Sequence, residues 1–168
     1  MKLPFFLKTL PVIVLLVVGF AMFCQAQNTL DEERFMSLKL TNEKGTQAVA
    51  DWNTEINAQK VVFFWATWCK PCIMEMEAVH EAVQKGKISA DKVHFITYEP
   101  INKVQAFLEK RSLQGLQVYT MDAQLIDLGI QSIPFAAVLN EKGEMVQSET
   151  GYRSNAHTVS FVKKYVEY

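Results

Sequence analysis

The chain has 168 residues, with 17 Lys and Arg against 18 Asp and Glu, a formal net charge of -1 and 49% hydrophobic residues. That length suits one domain with its own core, and the lack of a basic excess argues against a nucleic-acid partner. The three cysteines, Cys24, Cys69 and Cys72, are too few for a disulfide framework, so the close pair points to redox or metal chemistry.

Lys2 and Lys8 lie before an uncharged apolar run from Leu10 to Phe23. The run is shorter than the ~20 residues needed to span a bilayer. It has the layout of a secretory signal, with a basic start, an apolar middle and small residues at the cleavage site. Cys24-Gln25-Ala26 places cleavage before Gln27, so residues 1–26 form the signal and Cys24 leaves with it. Two alternatives stay open: an uncleaved membrane anchor through residues 3–23, and lipidation of Cys24, against which the bulky Phe23 argues. All three put the domain outside the cytoplasm, in the periplasm or cell envelope.

Residues 27–34 are polar and acidic and read as a short tether to a domain over 35–168. Phe35 to Leu40 alternates as a strand, Asn42 to Gly45 turns, and Thr46 to Val49 returns, which predicts an N-terminal β-hairpin. The stretch from Ala50 to Ala58 accommodates one helical turn around Trp52 and Ile56. Val61 to Trp65 is apolar on both alternate sets, as in a central strand covered on both faces. After Cys69-Lys70-Pro71-Cys72, the positions Ile73, Met76, Val79 and Val83 predict a helix to Gln84, stopped by Gly86. Strands follow at Val93 to Tyr98 and Leu116 to Thr120, around a helix built on Val104, Phe107 and Leu108. A short helix covers Gln124 to Leu128. Ile133–Pro134 leads into the strand Phe135 to Leu139, a turn at 140–143 and the strand Glu144 to Gln147. Val159, Phe161, Val162, Tyr165 and Val166 mark a terminal helix. The class is α/β, a mixed central sheet with helices on both faces.

A strand, two cysteines two residues apart and a helix make a reactive dithiol. Cys69 at a helix N-terminus would have its thiolate stabilised by unpaired backbone N–H groups and the helix dipole. Lys70 adds a positive charge, and Pro71 suits the first turn, where a missing N–H costs little. The competing readings are a structural disulfide and half of a metal site. Against the metal, no second Cys-x-x-Cys or paired histidine completes the four ligands zinc takes. His80, His94 and His157 read as surface or satisfied core residues.

Trp65-Ala66-Thr67-Trp68-Cys69-Lys70-Pro71-Cys72, followed about sixty residues later by Ser132-Ile133-Pro134 and a hairpin, resembles the thioredoxin superfamily. The likeness runs from Phe35 to the C-terminus. Glu75, placed as in Cys-x-x-Cys-x-x-Glu, and the export signal make it most similar to the TlpA/ResA-like exported proteins. The resemblance implies a thioredoxin fold and a thiol–disulfide oxidoreductase with no bound cofactor or metal. Cys69 is then the more exposed, attacking thiol, Cys72 the resolving thiol and Glu75 a proton relay. Pro134 is implied to be a cis-proline that presents the Ile133 backbone to an extended substrate. Trp68 shapes the docking surface, Trp65 belongs to the core, and Glu99 lines the groove, caps a helix or is solvated. The implied partners are protein thiols and disulfides, with electrons from a membrane donor, and a monomer is expected. By resemblance the chain is a reductant, for instance in cytochrome c maturation or envelope redox homeostasis. A disulfide oxidase or isomerase, and a redox-silent protein-binding module, are the rivals.

Two positions depart from the pattern. Phe63 stands where classical thioredoxins carry a buried aspartate. Glu77 stands where many relatives have a helix-kinking proline, so a straighter helix is expected.

Overall fold

The computed structural model describes residues 28–42, 44–45 and 59–166. Its centre is a six-stranded sheet in the order β1-β4-β3-β2-β5-β6. The strands are β1 (Leu40–Asn42), β2 (Lys60–Phe64), β3 (Val93–Thr97), β4 (Gln117–Met121), β5 (Phe135–Leu139) and β6 (Met145–Thr150). The helices are α1 (Glu32–Met36), α2 (Lys70–Gln84), α3 (Ile101–Arg111) and α4 (Asn155–Val166), with short 3-10 turns at Ala90–Lys92 and Leu125–Leu128.

β2 pairs parallel with β3, and β3 with β4, while β5 and β6 add antiparallel to the other side of β2. The two faces divide the apolar residues of β2 by alternation. Val61 and Phe63 face a cluster with Met76 and Val79 of α2, Val104 and Leu108 of α3, and Phe161 and Val162 of α4. Val62 and Phe64 face a second cluster with Phe35 of α1 and Leu128 of the 3-10 turn. The continuous apolar run of this strand therefore reports burial on both sides. Phe63, in place of an aspartate, lies 5.1 Å from Phe95 in a stacked ring pair. The sheet is thus apolar where a buried acid would otherwise sit. α2 runs unbroken from Lys70 to Gln84, through Glu77.

The N-terminal expectations need correction. Phe35 to Leu40 is not one strand: Glu32–Met36 is helical and only Leu40–Asn42 is strand. Asp31 caps the helix by accepting from the Arg34 amide at 3.0 Å, and Glu32 and Glu33 sit favourably in the first turn. Phe35 is 2% exposed and packs edge-on against Phe64. These local caps and the packing of a single aromatic outweigh the alternating pattern. Residues 28–34, read as a tether, lie against the domain: the Asp31 amide donates to the Leu128 carbonyl at 2.9 Å, and Leu30 is buried. β1 pairs antiparallel with β4. The return strand over 46–49 and the turn around Trp52 and Ile56 lie outside the described residues.

Candidate functional site

Cys69 and Cys72 form a disulfide with Cα atoms 5.3 Å apart. The link sits where β2 ends and α2 begins. Ala66 to Trp68 turns the chain, with the Cys69 amide donating to the Ala66 carbonyl at 3.0 Å. Cys69 is the N-cap of α2, and its sulfur accepts from the Cys72 amide at 3.4 Å. Pro71 occupies the first turn and Lys70 is exposed. Cys69 is 4% exposed and Cys72 1%, so the difference between the two sulfurs is small.

Glu75 lies on the same α2 face as Cys72, three residues on. It is buried at 7% exposure, and its pKa is pushed up to about 8, by burial first and by the nearby Glu149 carboxylate second. Glu149 belongs to β6. Its register partner Ala136 is itself opposite Phe63, which puts all three on the face covered by α2 and α4. Nε2 of His157 on α4 is hydrogen-bonded to the Glu149 carboxylate at 2.7 Å. Glu77, by contrast, pairs on the surface with Arg111 at 2.7 Å.

Trp68 is 64% exposed, and its Nε1 donates to the Tyr98 hydroxyl at 3.1 Å. From these two rings a groove of about 470 Å³ runs to Ile126 and Ile133. Ile126 is 65% exposed, so the groove has an apolar rim on both sides. The Ile133–Pro134 peptide is cis, Pro134 is buried, and its carbonyl accepts from the Gly151 amide at 2.8 Å. Trp65 is fully buried against Phe107.

Glu99 is neither a groove wall nor a solvated acid. It is 4% exposed, accepts from both the amide and the hydroxyl of Thr67, and pairs with Lys103. Glu149, His157 and Tyr98 were not singled out as site neighbours by sequence reasoning, because only strand register and helix docking bring them near the cysteines. His94 is buried against Tyr119 in the sheet, and His80 contacts the Gln114 carbonyl. Among the described residues, no group of three or more His, Cys, Asp or Glu side chains gathers as a metal site.

This arrangement can open and close one disulfide at a helix N-terminus, beside an apolar groove and on a helix that also carries a buried carboxyl group with a raised pKa. The Redoxin family profile matches residues 13–165. The thioredoxin-like protein YneN of Bacillus subtilis is 35% identical over 92 residues, covering 52% of this chain and 54% of that protein. The thiol-disulfide oxidoreductase ResA of Halalkalibacterium halodurans is 34% identical over 92 residues, covering 52% of this chain and 51% of that protein. The chain thus spans about half the length of the curated relatives it matches. The crystal structure of an exposed lipoprotein thioredoxin of Streptococcus pneumoniae superposes with a TM-score of 0.58 at 17% identity, over 75% of this chain and 97% of that one. The fold is that of thioredoxin, and the match over residues 13–165 places the chain in the Redoxin family.

Proposed function

We propose that this protein is an exported thiol–disulfide oxidoreductase that reduces protein disulfides through Cys69 and Cys72. The observation that carries the reading is the Cys69–Cys72 disulfide seated at the N-terminus of α2, with Cys69 as the cap. The helix dipole and the unpaired N–H groups of the first turn favour negative charge on Cys69 once the link opens, and the Lys70 ammonium adds to this.

In the reductive direction the Cys69 thiolate attacks one sulfur of a substrate disulfide. A mixed disulfide forms, and the other substrate sulfur leaves as a thiolate that takes a proton from solvent. Cys72, deprotonated, then attacks the Cys69 sulfur. The second substrate sulfur departs with the electron pair, leaving Cys69–Cys72 oxidised and the substrate reduced by two electrons. Glu75 as carboxylate takes the Cys72 proton in this step. When a donor later reduces the disulfide, the protonated Glu75 returns it to the departing Cys72 sulfur. The raised pKa of Glu75 suits it to both directions.

The groove beside Trp68 and the Ile133–Pro134 corner receive an extended substrate segment, which pairs with the Ile133 backbone as an added strand would. Export is supported by the basic and apolar layout of residues 1–26 and by the description of the pneumococcal relative as an exposed lipoprotein. An exported reductant draws its electrons from a donor in the membrane. The mature chain then starts at Gln27 and works as a monomer.

Insulin reduction with a small dithiol as electron source tests this reading. The wild-type protein accelerates precipitation of the insulin B chain, and Cys69→Ser does not. Equal behaviour of the two proteins would leave a redox-silent binding module as the better reading.

A further inference from the structure

The strongest unassigned feature outside the dithiol is the side chain of Asn28. Its Oδ1 accepts from the amides of Gln131 and Ser132 at 2.8 and 3.2 Å. Its Nδ2 donates to the Ser132 carbonyl at 3.0 Å, to the Ser132 hydroxyl at 3.0 Å and to the Thr150 hydroxyl at 3.1 Å. One amide side chain therefore takes up both backbone groups of Ser132, as a neighbouring strand would, and also reaches the end of β6. The bonds cross more than 100 residues of sequence.

The rest of the segment fixes Asn28 in place. The Asp31 amide donates to the Leu128 carbonyl, and Leu30 is buried in the cluster that holds Leu128 and Ile130. Gly129 has φ +77°, and a Cβ there would stand 2.5 Å from the Thr29 carbonyl oxygen. Only glycine lets the two backbones approach this closely.

The clasp closes the flanks of the loop and leaves its middle open. Ser132 is engaged on both backbone groups by Asn28, and the Pro134 carbonyl is engaged by Gly151. Among the described residues, no hydrogen bond engages the N–H or C=O of Ile133 between them. A loop whose flanks are engaged presents the N–H and C=O of one residue, Ile133, at the wall of the Trp68 groove.

We infer that Asn28 is a positioning residue: it holds Gln131–Ser132 so that the Ile133 backbone is ready to pair with an extended disulfide substrate. The N-terminal segment is thus a working part of the docking site. The inference rests on the oxidoreductase reading above and extends it to a residue outside the dithiol. The gain is preorganisation, since a loop ordered beforehand costs less to dock against.

The test compares Asn28→Ala, Asn28→Asp and wild type, each as the full secreted chain. Amide hydrogen exchange is read at Gln131 and Ser132, and turnover is read with insulin and with bis(2-hydroxyethyl) disulfide. The small disulfide makes no strand pairing. Asn28→Ala should lose protection at Gln131 and Ser132 while the β5 amides stay protected. Its KM for insulin should rise about tenfold with kcat held, an effect the size of one or two net hydrogen bonds, and the small disulfide should be turned over at the wild-type rate. Asn28→Asp keeps the two acceptor bonds, so it should retain the Gln131 protection and fall between the two. An active wild type with an unchanged insulin KM in Asn28→Ala overturns the inference alone, as does equal loss with both substrates. A wild type that turns over neither substrate overturns the oxidoreductase reading and takes the inference with it.

Discussion

Glu99 holds Thr67 with both carboxylate oxygens: the Thr67 amide donates to Oε2 at 2.5 Å, and the Thr67 hydroxyl to Oε1 at 2.9 Å. Lys103 pairs with the same carboxylate, which is 4% exposed. The end of β3 is thereby tied to the turn that carries Trp68 and Cys69. Two neighbouring parallel strands deliver their C-terminal ends to the same edge, and here a carboxylate locks one end to the other.

Removing this brace should cost stability and site geometry together. Glu99→Ala leaves the Thr67 amide without its acceptor in a partly buried turn, and we expect a loss of about 1–3 kcal/mol in urea unfolding. Thr67→Val removes only the hydroxyl bond and should cost about 1 kcal/mol. Unfolding midpoints equal to wild type for both variants would mean that the carboxylate is dispensable to the turn.

Glu75 ties stability to pH in the disulfide form. Its folded pKa of about 8 lies above its ordinary value of 4.5, so the native state holds the proton more tightly than the unfolded chain between those limits. Unfolding free energy from this group therefore falls as pH rises from about 4.5 to about 8, by a few kcal/mol at most. Glu75→Gln removes the effect, and its stability curve should run flatter than wild type over that window. Calorimetry at several pH values decides it. In exchange kinetics, Glu75→Gln should slow the Cys72 step at neutral pH by about a hundredfold, the usual scale for a lost general acid or base.

His94 acts with the opposite sign. It is 3% exposed, and its pKa is held down to about 3, by burial first and by the Lys60 charge second. The unfolded chain binds this proton more readily between pH 3 and 6.5, so stability is present above that window and lost as pH falls through it. His94→Phe should be less acid-sensitive than wild type over the same range. A parallel pair of acid-unfolding curves would sink this assignment.

The dithiol and its helix were legible because a strand of both-face apolar residues, Pro71 in a first turn and the spacing of Met76 and Val79 are all local signals. Register was legible in part: β5 and β6 follow from the turn at 140–143. Other features depend on distance along the chain. Asn28 meets Ser132 across 104 residues, and nothing in either neighbourhood marks the pair. Glu99 beside Pro100 looks like a strand end, and its burial arises from the docking of Thr67, 32 residues earlier. Phe35 misled because its alternation with neighbouring polar residues suits a strand as well as one buried turn of helix, and the Asp31 cap decided between them.

A trap should reveal the order of the two sulfurs. Cys72→Ser lacks the thiol proposed to resolve the adduct, so a protein disulfide substrate should accumulate as a mixed disulfide on Cys69, seen by intact mass. Cys69→Ser should form little or none. An adduct on Cys72 in Cys69→Ser at the same rate would reverse the assigned roles.

The most direct test of the account is a redox titration of the purified protein against glutathione, followed through the Cys69–Cys72 pair. A reductant is expected to show one reversible two-electron transition near about -270 mV, the thioredoxin value. A potential near about -120 mV, that of a strong disulfide oxidant, or no reversible transition at all, would contradict it.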